Sequence, residues 1–351
     1  MLLYIHIPFC DSKCSYCAFN SYVDKFDKRE VYMEALYKQL EFELKRFEAK
    51  KNSLETLFIG GGTPSTVAPA LYEKIFRLLR PYFKENIEIT CEANPNSATL
   101  FWLQGMRALG VNRMSFGVQS FNEEKLKLLN RAHNPKQAVE AVHNAKKAGF
   151  ENISLDIIYA TLGDTKELLA HDLQSAFLLP INHISAYALT IEEQTAFESK
   201  PHMSQEKLEL TEWIFDAIAK KGFTQYEISN FGLYRSKHNL GYWLYKDYIG
   251  AGSGAVGKLD AQRFYPSTNL EAYINNPLNI HVEELSPEDI KIEKIFLGLR
   301  SCVGVKKELL EKEELMQAEI LLQEHKLILK DDTFYNNNYL LADEIALFLT
   351  S

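Results

Sequence analysis

The sequence predicts an α/β protein in which six strands, each followed by a helix, form a parallel sheet, either doubly wound or, as the placement of its polar residues favours, curled into a β/α barrel, with a small, mainly helical C-terminal domain appended. Three observations predict it. Short apolar runs alternate with amphipathic stretches of helical period from Leu2 to Leu189. Residues able to do chemistry fall at the carboxyl end of each run, where the loops of a β/α barrel converge. Near Ser286, a serine N-cap followed by proline at the first helical position opens a separate helical stretch.

The first strand, Leu2 to His6, runs into Cys10-Asp11-Ser12-Lys13-Cys14-Ser15-Tyr16-Cys17. A helix from Lys28 to Phe47 follows, with Tyr32, Leu36, Leu40 and Leu44 along one face at i, i+4 spacing. Alternation then continues: strand Thr56 to Ile59, helix Pro69 to Leu79, strand Ile87 to Ala93, helix Thr99 to Leu109, strand Arg113 to Val118. Helices Glu123 to Leu129 and Lys136 to Ala148 lead to strand Asn152 to Ile158, helix Thr165 to Leu178 and strand Ile184 to Leu189. The second strand ends in Gly60-Gly61-Gly62-Thr63, the third in Glu92 and Asn94, the fourth in Gln119; the fifth carries Asp156 and the sixth leads to Thr190. Helix Gln205 to Lys220 closes the barrel segment, residues 1–230. Residues 231–285 read as a connecting segment, with Tyr248 to Ala255 as a glycine-rich turn. Residues 286–351 form the C-terminal domain, with helices Pro287 to Leu299, Lys307 to Leu309, Leu315 to Glu324 and Ala342 to Leu349 around the apolar stretch Leu327 to Leu329.

Composition excludes some functions. A chain of 351 residues with 46% hydrophobic and 25% charged residues buries a large core. Its net charge of −8 gives no broad electrostatic footprint for nucleic acid. No run of about 18 apolar residues is present, so an ordinary transmembrane helix is not expected, while peripheral membrane contact stays open. The expected location is cytoplasmic.

The cysteine loop carries the strongest chemical signal. Thiolates at Cys10, Cys14 and Cys17, spaced C-x3-C-x2-C, can hold three irons of a [4Fe-4S] cluster and leave the fourth iron without a protein ligand. A disulfide would need an oxidising compartment, and no secretory signal precedes the motif. Zinc would call for a second cysteine pair, whereas Cys91 and Cys302 stand singly in apolar surroundings and read as buried small hydrophobes.

With these residues in view, the sequence resembles the radical S-adenosylmethionine (SAM) superfamily, in the branch that holds oxygen-independent coproporphyrinogen oxidases and haem chaperones, and is most like the chaperones. The resemblance covers Tyr4 to Cys17, Phe58 to Ser65, Glu92 to Pro95, Ser115 to Ser120, Arg131 to His133, Asp156, Ser185 to Thr190, Tyr226 to Phe231 and His238 to Trp243. It implies a partial (β/α)6 radical-SAM barrel in which the methionine amine and carboxylate of SAM chelate the open iron. Gly60, Gly61 and Gly62 then form the amine site, with Thr63 beside them supporting SAM, or else make a tight strand-to-helix turn; Arg131 pairs with the carboxylate or else is a surface arginine. Glu92, Gln119 and Asp156 serve the ribose and polar end of SAM, or else form a buried polar network closing the barrel. Tyr4, Phe19 and Ala188 either border the cofactor or are plain core. The fifth turn, Ala160-Thr161-Leu162-Gly163-Asp164-Thr165, departs from the family's Gly-Leu-Pro-Gly-Gln-Thr-like turn.

His238-Asn239-Leu240-Gly241-Tyr242-Trp243 resembles the block associated with haem chaperones. That resemblance implies an axial ligand at His238, an edge hydrogen bond from Asn239, stacking faces at Tyr242 and Trp243, and Arg235 and Lys237 near the propionates. The oxidases carry an N-terminal extension and a further cysteine, where this chain begins its strand at Leu2 and has Phe19. The expectation is a haem chaperone carrying a cluster and SAM, with haem and haem-accepting apoproteins as partners and no catalytic residue assigned. Coproporphyrinogen oxidation, or radical chemistry on another substrate, is the alternative.

Overall fold

The computed structural model describes residues 1–351. Strand β1 (Leu2–Ile7) enters the cysteine loop, in which the two-residue strands β2 (Phe9–Cys10) and β3 (Tyr22–Val23) pair in parallel. Then come α1 (Arg29–Arg46), β4 (Leu54–Gly61), α2 (Pro69–Leu79), β5 (Phe83–Ala93), α3 (Leu100–Leu109), β6 (Arg113–Gln119), α4 (Glu123–Leu128), α5 (Pro135–Lys147), β7 (Asn152–Tyr159), α6 (Lys166–Phe177), β8 (His183–Ala188) and α7 (Leu208–Ala219). The next stretch holds β9 (Thr224–Gln225), β10 (Asn230–Gly232), α8 (Lys237–Trp243), β11 (Tyr248–Ala251), β12 (Gly257–Leu259), β13 (Gln262–Pro266), α9 (Leu270–Asn275) and β14 (Ile280–Glu284). Last are α10 (Pro287–Leu299), β15 (Val305–Lys306), α11 (Lys312–Gln323), β16 (Leu327–Lys330), β17 (Thr333–Asn336) and α12 (Ala342–Leu349).

One 12-stranded sheet runs β14-β13-β12-β11-β1-β4-β5-β6-β7-β8-β10-β9. From β11 to β8 every pair is parallel, and antiparallel strands extend both edges, so the barrel is partial. Register sets what faces inward. Tyr4 lies beside Phe58, Glu92 beside Ser115, and Asp156 between Gly117 and Ser185. The alternate residues Leu3, Ile5, Ile7, Leu57, Ile59, Ile89 and Cys91 turn outward into the helix-covered core.

Tyr248 to Ala251 corrects a sequence expectation. It is a seventh parallel strand hydrogen-bonded to β1, with Ile249 and Ala251 fully buried, and not a turn. The glycines that suggest a turn serve close packing: a Cβ on Gly250 would fall 1.9 Å from the Val256 carbonyl oxygen. Residues 248–284 therefore belong to the barrel sheet itself. The chain from Ser286 onward has its own core of 11 buried residues around Ile295, Leu299 and Phe334, and its apolar stretch forms part of a three-stranded sheet. Backbone bonds from Ile228 N to Arg300 O (2.9 Å) and Cys302 N to Tyr226 O (2.8 Å) tie it to the barrel.

Helix α8 enters from the end of the barrel opposite the cysteines. The Glu88 carboxylate accepts from the Lys237 and His238 backbone N–H groups, both at 3.0 Å, and from Ser236 Oγ at 3.3 Å, holding the positive end of the helix on β5.

Candidate functional site

Two neighbouring cavities open on the inner face of the sheet. The first, of about 490 Å³, is lined by Cys10, Cys14 and Cys17 together with Gly61, Gly62, Thr63, Glu92, Gln119, Arg131, Asp156 and Ala188. Residues from loops after six different strands meet here because each strand end points to the same face. A Cβ on Gly62 would lie 3.0 Å from both Cys10 Sγ and the Phe9 carbonyl oxygen, so only glycine lets β4 pass the cysteine loop. Thr63 Oγ1 lies 3.4 Å from Cys10 Sγ and accepts from Asn94 Nδ2 at 3.2 Å.

The Arg131 guanidinium spans the cysteine loop and the sheet. Nη1 donates to Cys14 Sγ at 3.1 Å; Nη2 donates to Asn94 Oδ1 and the Gly117 carbonyl oxygen, each at 2.6 Å. Its Nε is buried without a protein partner. Glu92 Oε2 accepts from Gly61 N at 3.1 Å. Burial first, and the nearby Asp156 second, push the Glu92 carboxyl up to about 8; burial lifts Asp156 to about 6. Gln119 takes a left-handed backbone (φ +67°) at an irregularity in the β6–β7 register.

Three thiols on one cavity wall, a cation already on one of them, and an orphaned N–H beside it fit a cluster held by three thiolates with a small polar ligand alongside. No fourth cysteine lines the cavity.

The second cavity, about 870 Å³, lies along the inner face of β1 and β11 and is walled by α10. Ala18 and Phe19 line both cavities. Phe19 is 69% exposed, the form of a partition rather than of core. Tyr4, Phe58, Tyr242, Tyr245, Tyr248 and Phe296 give this cavity aromatic walls, and Lys246, Lys258 and Arg263 reach it as ion pairs with Glu55, Asp247 and Glu293.

Residues 4–176 match the Radical SAM superfamily. Over 324 residues the chain is 35% identical to "Heme chaperone HemW" of Lactococcus lactis subsp. lactis (strain IL1403), covering 88% of this chain and 84% of that one. The chain belongs to the HemW family. HemW of Bacillus subtilis (strain 168) is 34% identical, covering 87% of this chain and 84% of that one. HemW of Escherichia coli (strain K12) is 37% identical, covering 73% and 70%. The solved coproporphyrinogen III oxidase HemN of Escherichia coli shares the fold, with a TM-score of 0.83 over 99% of this chain and 89% of that one at 21% identity.

In this HemW family member the residues expected at the cofactor divide between the two cavities. Tyr4 lines the second cavity and not the first; its hydroxyl meets His6 Nδ1 at 2.9 Å. Gly60 lies behind the first cavity, under the Glu92 carboxylate. His238, Asn239 and Tyr242 line the second cavity, whereas Trp243, Arg235 and Lys237 do not. Arg235 is exposed, and Lys237 Nζ donates to the Asn86 carbonyl oxygen. Both His238 ring nitrogens are engaged, Nδ1 with Thr56 Oγ1 at 2.7 Å and Nε2 with the Tyr242 hydroxyl at 3.0 Å. Burial holds His238 neutral, its pKa lowered to about 3.

Sequence reasoning missed Gly117, Lys246, Tyr248, Lys258 and Arg263. Gly117 had a signal in its strand-end position before Gln119. The other four lie in the stretch read as connector, and no motif marks them.

Proposed function

We propose that this protein is a haem chaperone built on a radical SAM scaffold, binding a [4Fe-4S] cluster and SAM in the smaller cavity and haem in the larger. The observation that carries the reading is the length of the HemW match: it extends over 88% of the chain, well beyond the radical SAM segment at 4–176 and across the residues that line the second cavity. Phe19, at the position where the oxidases carry a further cysteine, supports chaperone over oxidase.

A bound cluster would supply one-electron reducing power at its open iron, and everything else falls to the chain. Cys10, Cys14 and Cys17 provide the thiolates. Arg131 fixes Cys14 and offers its free Nε to a carboxylate ligand. Glu92, Gln119 and Asp156 meet the hydroxyls and amine of SAM, while Ala188 and Phe19 shield its adenine from water. A tightly bound haem would then be passed to a haem-accepting apoprotein.

The test is a haem titration of the anaerobically reconstituted protein, run beside an assay for coproporphyrinogen consumption with SAM and a reductant. A Soret band at stoichiometric haem with no consumption supports the chaperone. Catalytic conversion would establish the oxidase instead, and neither result would leave a radical SAM protein of another substrate.

A further inference from the structure

Strand β6 does not run straight into the first cavity. Its register with β7 slips between Gly117, which lies opposite Asp156, and Gln119, which lies opposite Ile157, so Val118 is an extra residue in the strand. Gln119 takes φ +67°, a left-handed backbone that a glutamine adopts only under strain. The effect shows in the side chains. A Cβ on Gly117 would come within 2.9 Å of Gln119 Nε2 and 3.2 Å of Arg131 Nη2, so amide and guanidinium stand together over a residue without a side chain. Both line the cavity of the three cysteines.

Such a backbone persists only where its surroundings over-determine it. Three side chains from outside the strand do so here. Arg131 Nη2 donates to the Gly117 carbonyl oxygen at 2.6 Å, and His133 Nε2 bonds the Val118 carbonyl oxygen at 3.0 Å. The third is Asp172 of α6: Oδ1 accepts from Phe121 N at 2.6 Å and Oδ2 from Ser120 Oγ at 2.7 Å. Asp172 and Ser120 are completely buried, where a carboxylate is costly unless its oxygens are occupied. The buried Lys125 ammonium does not claim it, being paired with Asp164 at 2.7 Å. Both Asp172 oxygens thus act on the two residues that follow Gln119.

We propose that Asp172 is a positioning residue for the SAM site: from the helix layer it locks the turn after β6, keeps Gln119 left-handed, and so sets the Gln119 amide beside Arg131 on the cavity wall. The inference rests on SAM binding in the smaller cavity and adds to it a residue that lines neither cavity. Asp172 acts through geometry alone, and no bond or proton changes place. With its carboxylate gone, the Phe121 N–H and the Ser120 hydroxyl lose their acceptor and the turn relaxes. Gln119 then leaves the strained region, and its amide turns away from Arg131.

The experiment is a calorimetric SAM titration of the full-length, cluster-reconstituted protein, for wild type, Asp172→Ala, Gln119→Ala and the double variant, with iron content measured in each. Asp172→Ala should weaken SAM binding about tenfold in the wild-type background and less than about twofold in the Gln119→Ala background, because the amide to be positioned is then gone. Should Asp172→Ala fail to fold, Ser120→Ala removes one of the two ties and takes its place in the cycle. Asp172→Asn keeps an acceptor for Phe121 N and should recover most of the affinity. An equal loss in both backgrounds marks a general loosening of the fold and overturns the proposal alone. A second readout needs neither cluster nor SAM. In the cluster-free protein Gln119→Gly should melt above Gln119→Ala, since glycine takes a positive φ without strain, and the difference should shrink when Asp172→Ala or Ser120→Ala is added. An undiminished difference means that the turn holds without Asp172 and again overturns the proposal. Absence of SAM binding by wild type overturns the SAM reading and the proposal together.

Discussion

Arg131 occupies a position that no simpler cation fills, because its fork reaches Cys14, Asn94 and the Gly117 carbonyl at once. Lysine keeps the charge but offers one point donor. Arg131→Lys is therefore expected to lower the iron bound per chain after reconstitution and to weaken SAM binding at least several-fold, read by iron analysis and calorimetry. Full iron content with unchanged SAM affinity would reduce Arg131 to a structural bystander. Replacing Cys10, Cys14 or Cys17 singly by alanine should each abolish the intact cluster spectrum, whereas Cys91→Ala should spare it, since Cys91 is fully buried on the helix-facing side of β5.

Among the elements, α8 is the one whose place depends most on a single side chain. Glu88 accepts from two backbone N–H groups that have no other buried partner, and it is itself almost fully buried. Glu88→Ala leaves those two groups unpaired and takes the acceptor from the Ser236 hydroxyl, at a cost of about 2–4 kcal/mol. Denaturant unfolding would measure it, and a change below about 0.5 kcal/mol would mean that α8 is held by packing alone. A second buried contact ties α4 to the turn after β7: Lys125 Nζ lies 2.7 Å from Asp164 Oδ1, both side chains nearly inaccessible. Asp164 belongs to the turn whose sequence departs from the family's and also accepts from Thr161 N at 2.9 Å. Lys125→Met is expected to cost about 3 kcal/mol or more, because it strands a buried carboxylate.

At the scale of the whole molecule, buried titratable groups shape stability against pH. Burial raises Glu43 to about 7, Glu227 to about 7 and Glu92 to about 8. Each keeps in the folded state a proton that the unfolded chain has already released, so stability falls as pH rises from the ordinary carboxyl range to these values. Burial lowers His133 and His238 to about 3, so the unfolded chain gains protons below about 6.5 that the folded chain refuses, and stability falls as pH drops through that window. Above about 6.5 the three carboxyls are opposed only by the Met1 ammonium, whose pKa burial lowers. The Tm of the cluster-free protein should thus decline between about pH 6.5 and 8, and Glu92→Gln should flatten the decline. A Tm rising across that interval would contradict the assignment of these carboxyls as protonated.

The sequence by itself determined the strand and helix alternation, the cysteine loop and the superfamily. Apolar periodicity and the C-x3-C-x2-C spacing are local properties, readable without knowing what lies across the sheet. It located Pro69–Leu79 and Pro287–Leu299 to the residue, since a proline at the first helical position marks the boundary chemically. Only the tertiary structure decided where Tyr248 to Ala251 goes, because the glycines of a turn and of a tightly packed strand look alike until Val256 is seen against Gly250. It also decided that His238 is sealed by Thr56 and Tyr242 while Arg235 and Lys237 face elsewhere: a six-residue block on a helix presents its residues around the axis, and only the docking of α8 on Glu88 says which of them meet a cavity. The cations of that cavity come from β12, β13 and the turn before β11, far apart in sequence from the cysteines, and parallel pairing of β11 with β1 is what brings them beside the cluster loop.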